Sequence, residues 1–134
     1  MKKFIKMMAL TAAAIGMSVG AAVAEPLKVG FLYLTTPGDH GWTYAHELAR
    51  QEVQAHFGDK VETTFVENVP EGPDAERVVR ELARQGNQVI FGTSFGYMDP
   101  MLKVSKDFPD VKFEHITGYL SLIHISEPTR QAEI

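Results

Sequence analysis

The strongest constraint on this chain is an alternation. From residue 28 onward, four short strand-like runs take turns with three helical stretches over about 90 residues. Residues 28–34 are mostly apolar and rich in strand formers, and Thr-Thr-Pro-Gly-Asp-His-Gly follows at once. A continuous apolar strand is expected where both faces are covered, as in a parallel sheet. Residues 42–57 read as a helix in which Ala45, Leu48, Ala49 and Val53 share one face, and Gly58 supplies its stop. Residues 61–66 form the second strand and 67–72 a loop. Pro73 suits the first turn of the next helix, where its missing N–H is no loss. Asp74 and Glu76 sit where the helix dipole favours acids. Ala75, Val78, Val79, Leu82 and Ala83 make the apolar stripe of this helix. A third strand is read at 88–91 and a loop at 92–98. Asp99 is expected as an N-cap with Pro100 at the first helical position. That helix ends before Pro109, and 111–116 is the fourth strand.

The order β-α-β-α-β-α-β predicts an α/β fold, a parallel sheet with helices on both faces. Right-handed crossovers then give the spatial strand order 2-1-3-4. In open sheets of this kind, ligands bind beyond the carboxyl ends of the strands, at the switch point. Three loops are expected to meet there, at 35–41, 67–72 and 92–98. They hold the unusual residues, so function is read in them.

Residues 1–24 read as a secretory signal peptide. Lys2, Lys3 and Lys6 form a positive start, and residues 7–19 are mostly apolar but short for a membrane span. Ala22-Val23-Ala24 fits the small-x-small cleavage pattern, so cleavage is expected after Ala24. The expected location is the periplasm. The chain has no cysteine, which excludes a disulfide framework, a thiolate metal site and a lipidated N-terminal cysteine. The product is therefore expected to be free in the periplasm and not a lipoprotein.

Charge narrows the partners. The chain has 13 Lys and Arg against 17 Asp and Glu. Three of the lysines lie in residues 1–24, so the remainder carries 10 basic against 17 acidic groups, a net −7. An acidic chain of this kind is not expected to bind nucleic acid or anionic lipid.

The first β-α turn has neither the G-x-G-x-x-G fingerprint nor a phosphate loop, and no nucleotide cofactor is expected. His40, His46, His56 and His115 lack metal-ligand spacing, so no metal is expected. Ser94 superficially suggests a nucleophile, but G-x-S-x-G is not met. The chain is read as a binding protein and not an enzyme, with a secreted hydrolase-like fragment built on Ser94 as the alternative.

Trp42 is the only tryptophan and stands where the first loop becomes a helix. An indole there serves either helix-start packing or as a wall against which a flat ring stacks. Asp39 would then meet ring or exocyclic N–H donors, or act as a turn residue beside Gly38 and Gly41. Phe95 and Tyr97 flank Gly96 in the third loop. They either pack that loop on the sheet edge or form a second aromatic patch, with Gly96 letting backbone approach the ligand. Thr93 and Ser94 add hydroxyl groups. Aromatic, weakly charged loops suit a neutral planar small molecule.

Several motifs stand in a familiar order: Lys28-Val-Gly-Phe, Gly38-Asp-His-Gly-Trp-Thr-Tyr44, Val66-Glu-Asn-Val-Pro-Glu-Gly72, Asp74-Ala-Glu-Arg77, Gln85-Gly86-Asn87 and Thr93-Ser-Phe-Gly-Tyr-Met98. Together they resemble the basic-membrane-protein family of ABC-importer solute receptors, from about Lys28 to Tyr119. The resemblance implies the first lobe of a type I periplasmic-binding-protein fold, truncated here, with residues 25–119 as the lobe. It implies a purine base or nucleoside held between two lobes and an ABC permease in the inner membrane as partner. The ligand-binding residues it points to are Asp39, Trp42, Thr43, Tyr44, Ser94, Phe95, Gly96 and Tyr97. A well-known branch carries Asp-x-Ser-Phe-Asn in the first loop. Here Gly41 and Thr43 replace the Ser and Asn, which points from ribose recognition toward a free base such as adenine. Another small ligand on the same scaffold is the other reading.

Residues 120–134 break the family pattern. Residues 120–130 resemble an in-frame translation of a sequencing-library adapter, so this tail is expected to be foreign. A lone lobe of about 95 residues buries a modest core, and a marginally stable or aggregation-prone product is expected.

Overall fold

The structure, a computed structural model, describes residues 24–118. The signal-peptide and foreign-tail readings fall on residues outside that range. Seven main elements follow the chain: β1 (Leu27–Leu32), α1 (Trp42–Phe57), β2 (Val61–Val66), α2 (Pro73–Arg84), β3 (Val89–Gly92), α3 (Met98–Ser105) and β4 (Lys112–His115). The four strands form one sheet in the order β2-β1-β3-β4. Every pairing is parallel. The expected class and strand order are both observed.

Strand alternation assigns side chains to the two faces. Leu32, Ile90 and Phe113 point to one face, where α2 and α3 cover them with Val79, Leu82, Met101 and Val104. Ile90, Val79, Met101 and Val104 are fully buried, and each such side chain stabilises the fold by roughly 1.5–3 kcal/mol. Gly92 is part of this fit, because a Cβ there would collide with the Met101 sulfur. The opposite face carries Val29, Phe31 and Tyr33 with Val61, against which Val53 of α1 packs.

α2 buries the stripe read from its sequence, with Ala75, Val79, Leu82 and Ala83 inside and Val78 half-buried. α1 does not. Its buried residues are Thr43 and Glu47, whereas Ala45, Leu48 and Ala49 are exposed and Val53 is half-buried. The reason is a polar anchor beneath the helix. Tyr33 Oη donates to the Glu47 carboxylate at 3.1 Å. Arg50 donates to the same carboxylate, and to Thr63 Oγ1 of β2 at 2.7 Å. The Arg50 guanidinium also lies 5.0 Å over the Phe65 ring. These bonds rotate α1 so that its polar side faces β1 and β2.

α3 also differs from expectation. A 3-10 turn at Phe95–Tyr97 runs straight into it, so the helix begins at Met98 with Tyr97 at its N-cap. Asp99 and Pro100 therefore lie inside the first turn, where an N–H missing at Pro100 still leaves no bond unmade.

Candidate functional site

The loops that leave β1, β2 and β3 share the carboxyl edge of the sheet, and hydrogen bonds tie each to the next. The first and second are joined where Asn68 Nδ2 donates to Thr36 Oγ1 at 2.7 Å and Val69 N to the Tyr33 carbonyl at 3.1 Å. Asn68 has a φ of 54°, a left-handed conformation that Asn tolerates better than most residues. The second and third are joined through Glu71, whose Oε1 accepts from Ser94 Oγ at 2.6 Å and from the Gly96 N–H at 2.9 Å. Those two bonds hold the Glu71 carboxyl below its ordinary pKa, with the Ser94 hydroxyl the larger cause. The third and first are joined where Trp42 Nε1 donates to the Thr93 carbonyl at 2.6 Å. Thr93 itself is pinned to β1, its hydroxyl donating to the Leu32 carbonyl at 2.6 Å.

Trp42 is 53% exposed although its ring N–H is bonded. His46, one helical turn along, meets it edge-on with centroids 4.6 Å apart and planes at 72°. Partial burial lowers the His46 pKa, which favours the neutral ring. The indole is thus fixed by one edge and a neighbour while much of its surface stays open. A ring held in this way loses little conformational freedom when a ligand stacks on it.

The eight residues expected to touch ligand divide into two groups. Asp39, Trp42 and Phe95 are exposed, and Tyr44, Ser94 and Gly96 are half-buried. Thr43 and Tyr97 are buried in the lobe. The Thr43 hydroxyl is bonded to that of Thr35 at 2.8 Å and the residue is buried. Tyr97 is 0% exposed and donates its hydroxyl to the Val69 carbonyl at 2.6 Å. Their aromatic or hydroxyl character attracted a functional reading, but the bonds that use it lie inside the lobe.

Sequence reasoning missed Glu71 and His115. Glu71 was visible as an acid before a turn glycine, but nothing local showed that it reaches a loop 23 residues away. His115 Nε2 lies 2.8 Å from the Ser94 carbonyl oxygen. A histidine therefore does come beside Ser94, but it meets the backbone, and the Ser94 hydroxyl is given to a carboxylate instead. His115 therefore does not meet the Ser94 hydroxyl. Among the described residues no group of His, Asp and Glu has the arrangement to hold a metal ion.

A parallel α/β sheet with polar and aromatic loops gathered at its carboxyl edge is an arrangement in which ligands commonly bind. A family model for PnrA-like ABC transporter substrate-binding proteins, the Bmp family, matches residues 27–125. The chain belongs to that family of substrate-binding proteins. It is 63% identical over 108 residues to a purine-binding protein of Brucella abortus, a match that covers 80% of this chain and 31% of that protein. It is 44% identical over 100 residues to a Haloferax volcanii protein named for glucose binding in an ABC transporter, covering 75% of this chain and 25% of that one. Two solved solute-binding proteins of ABC transporters share the fold. The one from Conexibacter woesei has a TM-score of 0.59 at 24% identity, over 65% of this chain and 28% of its own. The one from Aeropyrum pernix has 0.61 at 22% identity, over 72% and 26%. The chain thus spans about a third or less of the length of the relatives it matches.

Proposed function

We propose that this chain is the first lobe of a periplasmic receptor that captures a purine base or nucleoside and delivers it to an ABC permease in the inner membrane. The ligand sits between the carboxyl edge of this sheet and a second lobe supplied by a longer protein. The observation that carries the reading is Trp42, an indole bonded by its N–H yet half open at that edge. The Brucella relative, named for purine binding, supports the ligand class. Asp39 supplies the acceptor for ring or exocyclic N–H donors, and Phe95 adds a second exposed aromatic 59% open to solvent. Gly41, which has no side-chain hydroxyl to offer a ribose, favours a free base over a nucleoside.

Residues 1–24 serve as the export signal. A long genomic read across the codons after Tyr119 is expected to continue into a second α/β lobe. Calorimetric titration of that full-length protein with adenine, adenosine and glucose then tests the function. Saturable purine binding is expected, weakened by Trp42→Ala about five- to hundredfold, the loss of one base–aromatic stack. Binding of glucose alone would move the protein to the ligand class for which the Haloferax relative is named.

A further inference from the structure

The loops at the site's edge carry Asp39, Glu67 and Glu71 and no lysine or arginine. Two donors of the third loop are already in use. The Ser94 hydroxyl and the Gly96 N–H point at one oxygen of Glu71, at 2.6 and 2.9 Å. A hydroxyl and a backbone N–H converging in this way are the groups with which a loop holds a phosphate or carboxylate oxygen. Here the protein's own carboxylate holds that place. Gly96 makes the arrangement possible, since a Cβ there would collide with the Glu71 carboxyl group.

We propose that Glu71 is a specificity-determining residue: by occupying the donors of the third loop with its own negative charge, it bars anionic ligands, phosphorylated purine nucleosides among them, and admits uncharged ones. An arriving phosphate must displace Glu71 from both donors and then sit beside the displaced charge. An uncharged ring stacked on Trp42 does neither. This inference rests on the loop edge being the ligand site, and it adds which members of the ligand class are refused.

The test compares adenosine with adenosine 5′-monophosphate on the full-length protein, as wild type, Glu71→Gln and Glu71→Asp. Gln keeps the size and one acceptor oxygen but removes the charge, and Asp keeps the charge. The readout is the ratio of the two dissociation constants, which a merely structural loss does not change. Glu71→Gln is expected to narrow the ratio at least tenfold in favour of the monophosphate, while Glu71→Asp preserves the wild-type preference. An unchanged ratio in Glu71→Gln overturns the proposal. Inorganic phosphate, followed by the amide resonances of Ser94 and Gly96, gives a second arm that does not depend on purines. Phosphate is expected to shift those resonances in Glu71→Gln and not in wild type. If adenine, adenosine and its monophosphate all fail to bind wild type, the purine reading fails, and the phosphate arm still decides on Glu71: equal responses in the two proteins overturn it.

Discussion

The two faces of the sheet are built from the same kind of strand and finished differently. On one face α2 and α3 close over Leu32, Ile90 and Phe113, and the residues between them are almost wholly buried. On the other, α1 stands alone over β1 and β2. Beside it runs a hollow of about 420 Å3 floored by Val29, Phe31, Val89 and Phe91 and walled by Ala49 and Val53. This hollow is nearly all apolar, and His46 and Thr93, both neighbours of Trp42, are among the residues that line it. It differs from the candidate site, which combines hydrogen-bonding groups with a ring open for stacking. The difference teaches that an apolar stripe fixes a preference for burial but not the neighbour that satisfies it. α2 finds α3 beside it. α1 is held by the Tyr33–Glu47–Arg50 anchor instead, and only Ala49 and Val53 of its stripe line the hollow.

The largest expected effect belongs to the closed face. Leu82→Ala removes a side chain 3% exposed and packed among Leu32, Val79 and Ile90. Urea denaturation should show a loss of roughly 2–5 kcal/mol. A loss under 1 kcal/mol would erase the contrast between the faces.

The anchor beneath α1 comes next, and it is sensitive to acid. The bonds from Arg50, ahead of those from Gln51 and Tyr33, hold the Glu47 pKa down to about 2. A folded-state pKa below the unfolded value means that the unfolded chain binds the proton more readily. The stability from Glu47 is therefore complete above the ordinary carboxylate range and is lost as pH falls toward about 2. Glu47→Gln should cost roughly 1–3 kcal/mol at neutral pH. Denaturation midpoints measured from pH 6 to pH 2 should then fall less steeply in the variant than in wild type.

Phe91→Ala sharpens the comparison on the open face. Its ring stacks on Phe31 with centroids 4.9 Å apart, but the residue is only half-buried. The expected cost is about 1–2 kcal/mol, below the usual range for a fully buried Phe. The smallest effect is at Leu48, 41% exposed on α1. Leu48→Gln should change stability by no more than about 0.5 kcal/mol. A larger loss would show that the stripe of α1 is covered after all.

Much of this fold was legible in the residues because each element carried its own signals. The bounds of α1 and β2 follow from Gly58 and from the run between two turns. The strand order follows from the handedness of crossovers. The start of α3 was read late because Asp99-Pro100 is a strong local signal, and only the packing of Tyr97 shows that the turn begins before it. The site was legible as three loops and as Trp42, whose placement at a helix start is a local fact. Which loop residues face outward was not. Thr43 and Tyr97 bond inward to partners fixed by tertiary contact, and Glu71 matters through a loop far along the chain.

The central claim is that Trp42 meets the ligand at the carboxyl edge of the sheet. Fluorine NMR of the full-length protein labelled with 5-fluorotryptophan addresses it directly, with Trp42 assigned through Trp42→Phe. On titration with adenine, the Trp42 resonance is expected to shift saturably, with the midpoint found by calorimetry. Tight adenine binding that leaves the Trp42 resonance in place would contradict the account.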